Sequence, residues 1–161
     1  FKPHCKITER RGATLMLYID TSVLIAFYCP EPLSEQVEKI MLSTDIVAVS
    51  LLTTVEFTSK KKKKIREGNL SKGDGYKILS LFKIHMDQNS LITLPIHSNH
   101  FSIAQQWIAR FDTPLRTLDA LHLAIAESNK ISVITSDIKF FNSAKTIGIK
   151  AKFLSDQFGI Y

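Results

Sequence analysis

Four carboxylates stand where an acid needs a reason. Asp20 ends the run Leu-Met-Leu-Tyr-Ile, Glu56 lies in Leu-Thr-Thr-Val-Glu-Phe, Asp119 interrupts Arg-Thr-Leu-Asp-Ala-Leu-His-Leu-Ala, and Asp137 closes Val-Ile-Thr-Ser-Asp. Two such charges held ~4 Å apart repel by about 4 kcal/mol at an effective dielectric near 20. A protein that gathers them keeps them protonated or neutralises them with a cation. Hard oxygen donors without sulfur or imidazole select Mg²⁺ or Mn²⁺ over zinc. A carboxylate-held ion with open water positions suits phosphoryl transfer, since it binds phosphate, acidifies a water and stabilises the leaving oxygen. Each acid also has a plain reading. Asp20 alone is a turn or capping residue, and Asp119 has two structural partners within reach, an ion pair with Arg116 or a hydrogen bond to His122.

The elements that must position these acids follow from pattern. Residues 15–19 form a short apolar run that fits a strand buried on both faces, with Thr21 or Ser22 capping a helix from about Val23. Residues 34–43 read as a helix capped by Ser34, 45–50 as a β-branched strand, and 52–67 as a helix stopped at Gly68-Asn69. A helix over 71–87, a strand over 91–95 and a helix over 99–111 follow, the last with an apolar face through Phe101, Ala104, Ile108 and Phe111. Residues 117–128 are nearly all apolar and predict a central helix. A strand over 131–135, a helix over 138–146 and a strand over 150–154 complete the chain. Strands alternating with helices mean α/β with a parallel sheet. In such sheets ligands gather beyond the carboxyl ends of the strands, where Asp20, Glu56 and Asp137 fall.

At 161 residues, 45% hydrophobic and 22% charged, the chain suits a single globular domain. Residues 1–15 show no pattern and are expected to be an extension outside the fold, with Met16 as the natural start and the domain spanning 16–157. Lys2, Lys6, Arg10 and Arg11 against Glu9 account for half of the +6 net charge, leaving a mildly basic body that favours an anionic partner. Cys5 and Cys29 form no metal-ligand spacing and fit a reducing cytoplasm. Residues 13–30 imitate a signal peptide only superficially, because Asp20 breaks the apolar centre and no small-residue cleavage site follows. No run approaches ~18 apolar residues, so no membrane span is expected.

The segments Tyr-Ile-Asp-Thr-Ser, Thr-Val-Glu-Phe, Leu-Asp-Ala-Leu-His-Leu-Ala and Ile-Thr-Ser-Asp, in this order and spacing, resemble the PIN-domain family, and in particular its VapC-type toxin ribonucleases. The resemblance covers residues 16–154 and rests on the ordered set, since no single motif is specific. It implies a Rossmann-like sheet of order 3-2-1-4-5 and an acidic site binding Mg²⁺ or Mn²⁺. Asp20, Glu56, Asp119 and Asp137 match the family's four metal-holding, catalytic acids, and Ser22 and Thr135 match supporting hydroxyls. It further implies an endoribonuclease that hydrolyses RNA with a metal-activated water, leaving 5′-phosphate and 3′-hydroxyl ends. A cognate antitoxin whose tail enters the groove and a homodimer are implied as partners.

Lys60–Lys64 with Arg66 form the most basic stretch. On a helix Lys60, Lys63 and Lys64 share the face of Glu56, where with Arg66 they are positioned to lead RNA toward the acids; the bland alternative is a solvated charged face. The start of this run is small or apolar in many relatives, so its packing is a departure. His122 is expected to be packed or hydrogen-bonded, His85 to complete an apolar face, His97 and His100 to flank a helix start, and Trp107 to serve core or interface. A haloacid-dehalogenase-type phosphatase wants a second acid at the place of Ser22, and no Gly-rich phosphate loop supports an ATPase. The remaining alternatives are an RNA-processing nuclease of the same fold outside a toxin–antitoxin pair, and an inert RNA-binding or interaction module.

Overall fold

The structure, a computed structural model, describes residues 14–156. The predicted extension lies outside the described residues apart from Thr14 and Leu15. Leu15 is tied to the start of the neighbouring strand, its N–H donating to Asp45 Oδ2 and its carbonyl accepting from Ile46 N–H.

Along the chain run β1 (Met16–Ile19), α1 (Thr21–Tyr28), α2 (Ser34–Ser43), β2 (Ile46–Ser50), α3 (Leu51–Arg66), α4 (Lys72–Asp87), β3 (Ile92–Leu94), α5 (Ser98–Ile108), α6 (Thr117–Ser128), β4 (Ser132–Thr135), α7 (Ile138–Ile147) and β5 (Ala151–Phe153). All strand pairs are parallel and the sheet order is β3-β2-β1-β4-β5. The chain builds outward from β1 through β2 to β3, then returns to the other side of β1 for β4. The crevice between β1 and β4 is therefore the topological switch point, the default place for a ligand in such a sheet.

Side chains alternate across each strand and so divide the core into two layers. Leu17, Ile19, Val47, Val49 and Ile134 face one way and pack with Val23, Leu24, Val37, Ile40, Phe57 and Phe82 of α1 to α4. Tyr18, Ala48 and Val133 face the other way, against Ala104, Ala120, Leu121, Phe140 and Ala144 of α5 to α7. The expected central helix is α6, buried without interruption from Ala120 to Ala126.

Several local expectations are corrected. The cap of α1 is Asp20, whose carboxylate accepts from Ser22 N–H, so neither Thr21 nor Ser22 takes that role. Leu33 occupies the cap of α2 with no side-chain bond, while Ser34 Oγ donates to the carbonyl of Ala26 and accepts from Glu31 N–H, closing the α1–α2 loop instead. Helix α5 stops at Ile108; Phe111 takes a left-handed φ of 56° and is 89% exposed, and Phe101 is also exposed, so of the predicted apolar face only Ala104 and Ile108 reach the core. His97 caps α5, its N–H donating to Nδ1 of the buried His100. Gly68, at φ +77°, turns the chain after α3. At Gly75 a Cβ would stand 2.6 Å from Ile65 Cδ1, so α3 and α4 approach closely there and a larger residue would turn the end of the Ile65 side chain aside.

Candidate active site

Parallel pairing sets the site. Asp20 follows β1, its N–H donating to the carbonyl of Ile134 on β4. Its side chain is 7% exposed and is held through Oδ2 alone, which accepts from Ser22 Oγ at 2.6 Å and from Thr135 Oγ1 at 2.9 Å. Ser136 N–H donates to Ser22 Oγ, and Asp137 N–H to Thr135 Oγ1. The two predicted hydroxyls thus stitch the start of α1 to the loop after β4. Asp20 Oδ1 takes no hydrogen bond among the described residues.

Glu56 arrives from α3, half-buried. Its Oε2 accepts from Thr21 Oγ1 at 2.7 Å and faces His122 Nε2 at 2.6 Å, while Oε1 takes no hydrogen bond among the described residues. A carboxylate only accepts, so His122 Nε2 carries the proton. On its other side His122 Nδ1 meets the Tyr18 hydroxyl at 2.6 Å, and Tyr18 in turn bonds Ser50 Oγ at 2.8 Å. This buried chain, from Ser50 through Tyr18 and His122 to Glu56, crosses the sheet between its two core layers. Burial alone pushes the Glu56 carboxyl up; the hydrogen bond and charge of His122, with Thr21 and Lys60, outweigh it and hold the group below its ordinary value.

Asp119 and Asp137 are joined differently. Arg116 donates from Nε to Asp119 Oδ2 at 2.8 Å and from Nη2 to Asp137 Oδ2 at 2.9 Å, bridging α6 to the cap of α7. Of the two partners open to Asp119 in sequence, Arg116 is the one it takes; His122 is committed to Glu56 and Tyr18. Asp137 Oδ1 caps α7 by accepting from the N–H groups of Lys139 and Phe140. Burial raises Asp137, but those N–H groups and Arg116 prevail and lower it. Asp119 moves the opposite way: burial, with the charges of Asp20 and Asp137, outweighs Arg116 and raises it. Burial is the main reason that Asp119 is elevated, and the neighbouring charges of Asp20 and Asp137 add to it.

The predicted residues therefore fall into two linked groups. Asp20 and Glu56 lie together with His122, their ligand atoms all within 4.8 Å of one another. Asp119 and Asp137 share Arg116, and Thr135 connects Asp137 to Asp20. The donor set suits a hard divalent cation: Asp20 Oδ1 and Glu56 Oε1 are uncommitted oxygens, and the electrostatics of Asp119 favour added positive charge. Thr21 and Tyr18 were not singled out in sequence. The first sits beside Asp20 in a polar pair, a weak signal; Tyr18 is one aromatic among apolar neighbours and gave none.

The basic run is not one exposed face. Lys64 pairs with Glu31 at 2.7 Å and Lys63 with Glu67 at 3.8 Å, along α3. Lys60 is exposed and contributes to the field at Glu56. Lys61 is fully buried, its ammonium 4.6 Å from the centre of the Phe57 ring. Among the described residues no helix is long and apolar enough to cross a membrane.

The family model of the PIN domain matches residues 17–145. No curated protein matches the chain in sequence. Its structure is similar to that of VapC20 of Mycobacterium tuberculosis, a sarcin-ricin-loop-cleaving toxin, with a TM-score of 0.63 and 14% identity over 83% of this chain and 95% of that one. It is also similar to VapBC2 of Rickettsia felis, solved on a fragment of promoter DNA (TM-score 0.63, 12% identity, 88% and 100% covered), and to a toxin–antitoxin complex of Klebsiella pneumoniae (TM-score 0.57, 20% identity, 78% and 89% covered).

Proposed function

Because the chain belongs to the PIN-domain family, we propose that it is a divalent-metal-dependent endoribonuclease acting as the toxin of a toxin–antitoxin pair. The observation that carries this reading is the convergence of acids at the β1/β4 switch point, with Asp20 and Glu56 each presenting one uncommitted oxygen beside His122.

Asp20, Glu56, Asp119 and Asp137 would hold Mg²⁺ or Mn²⁺, which when bound supplies Lewis acidity toward a phosphoryl oxygen and acidifies a water. Ser22 and Thr135 keep Asp20 in one rotamer, and His122 with Thr21 does the same for Glu56, so the uncommitted oxygens need no reorganisation. Arg116, exposed at the rim with Nε and Nη2 on the two aspartates, has Nη1 left to meet a phosphodiester oxygen. Attack in line with the 3′-oxygen leaves 5′-phosphate and 3′-hydroxyl ends. Lys60, Lys63, Lys64 and Arg66 extend a basic track along α3 for the RNA backbone, Lys60 being its member nearest the acids.

The similarity to toxin–antitoxin complexes supports a cognate antitoxin as partner. A second copy of the chain is assigned to the apolar groove of about 320 Å³ between α5 and α6, rimmed by Phe101 and Phe111. A toxin directed at the cell's own RNA would act in the cytoplasm, the compartment this reading assigns. The test is cleavage of total RNA with Mn²⁺ or chelator, in parallel for Asp20→Asn and Asp119→Asn. Metal-dependent ends that both variants lose are expected. RNA binding without cleavage under all conditions sinks the nuclease reading and leaves an interaction module.

A further inference from the structure

The residue at the C-terminal cap of α1, Cys29, and the residue five places beyond Glu56 on α3, Lys61, meet outside the candidate active site. Lys61 is the more unusual. Its side chain is fully buried, and among the described residues its ammonium has no carboxylate within ion-pairing distance. Its contacts are the face of Phe57 and Cys29 Sγ at 2.6 Å. Removing an ammonium from water with no counter-charge is costly. Cys29 Sγ is the one side-chain hydrogen-bond partner of the amine among the described residues. Cys29 is itself only 6% exposed.

The separation carries the argument further. Sulfur is larger than oxygen, yet 2.6 Å is shorter than the roughly 2.7–3.2 Å of an ordinary N–H···O hydrogen bond. A directly bonded nitrogen and sulfur would sit much closer. Single-bond lengths and a bent angle at oxygen place nitrogen and sulfur at this distance when one oxygen atom links them. We propose that Cys29 and Lys61 are a covalent modification site, forming a nitrogen–oxygen–sulfur bridge under oxidising conditions and reverting to thiol and amine under reduction.

The step balances with dioxygen as oxidant. The S–H bond of Cys29 and one N–H bond of Lys61 break, S–O and N–O bonds form, and the second oxygen atom leaves with the two hydrogens as water. Sulfur and nitrogen each lose two electrons and dioxygen gains four. Two equivalents of hydrogen peroxide give the same product with three waters. Burial favours this outcome over the higher oxides, because the amine stands within reach of the first oxidised sulfur and the pocket excludes bulky thiols that would intercept it. The bridge would join the end of α1 to α3, bracing the two helices that carry Asp20 and Glu56.

The experiment is intact-protein mass spectrometry of the purified full chain, in air-saturated buffer and after hydrogen peroxide, each with and without dithiothreitol. The expected species is about 14 Da heavier than the reduced protein, one oxygen gained and two hydrogens lost. It should return to the reduced mass with dithiothreitol, and proteolysis should yield one peptide pair joining Cys29 to Lys61. Cys29→Ser and Lys61→Met should both abolish it. The proposal rests first on the unaltered protein, so a variant that fails to fold leaves the test intact. Cys29 found only as free thiol, as sulfinic acid, or in a disulfide with Cys5 overturns the proposal, as does a joined peptide lighter by about 2 Da, which marks a direct S–N bond. Cleavage of RNA plays no part in these readouts, so the proposal stands or falls apart from the nuclease assignment.

Discussion

Replacing Arg116 by Gln separates what this residue does for the fold from what it does to the acids. Its guanidinium bonds Asp119 at 2.8 Å and Asp137 at 2.9 Å, but its side chain is 65% exposed, so solvent screens both pairs. Exposed pairs of this kind contribute about 0.2–1 kcal/mol each. Without divalent ions the variant should lose at most about 2 kcal/mol over the two pairs, a fall of no more than roughly 4–8 °C in Tm for a domain this size. With divalent ions the sign reverses. A cation sharing carboxylates with a guanidinium stands on the order of 5 Å from it, and a double positive charge is then opposed by about 1.7 kcal/mol even at the dielectric of water. Removing that charge should tighten Mn²⁺ binding roughly tenfold, after allowance for salt screening. Calorimetric titration with Mn²⁺ measures this directly. The Mg²⁺ dependence of Tm gives a second reading, since a ligand at 100 times its Kd stabilises by about 2.7 kcal/mol. Mn²⁺ affinity unchanged or weaker in Arg116→Gln would refute the idea that Arg116 and a metal compete for the same carboxylates.

Other expectations address the buried chain, the core and the basic track. Tyr18→Phe removes the hydroxyl that meets His122 Nδ1 and Ser50, leaving buried polar atoms unpaired, and should cost about 1–3 kcal/mol in denaturant unfolding. Burial raises the Tyr18 hydroxyl above its ordinary value, so its contribution to stability is complete below about pH 10 and is lost as pH climbs from there through the folded-state value. Tyr18→Phe should therefore flatten part of the alkaline limb of the stability curve, the rest belonging to Tyr28, raised for the same reason. Phe57→Ala empties a fully buried site packed on Tyr28 and Phe82 and should cost about 3–5 kcal/mol by the same unfolding assay. On single-stranded RNA, Lys60→Ala should reduce the log–log salt slope of binding by about 0.7. An unchanged slope in that variant removes Lys60 from the track.

The order of elements was readable from the chain because local signals and burial agreed. Apolar runs of four or five residues predict β1, β2 and β4, and the nearly all-apolar stretch of α6 matches its boundaries, 117–128. Sheet order came from the ordered acid motifs and their family resemblance. Caps and helix ends were harder, since Ser34 and Ser22 offer the same chemistry to a helix terminus and to a loop, and only the packed chain selects between them. At the site, sequence supplied the acids but not their division of labour. That Arg116 reaches from Asp119 to Asp137, 21 residues beyond it, and that His122 serves Glu56, 66 residues away, depends on how α3, α6 and α7 meet over the β1/β4 crevice. The fate of Lys61 shows the limit most plainly. Five consecutive lysines are alike as letters, and helix periodicity alone turns one of them inward, but only the position of Cys29 across the α1–α3 contact gives the buried amine a partner.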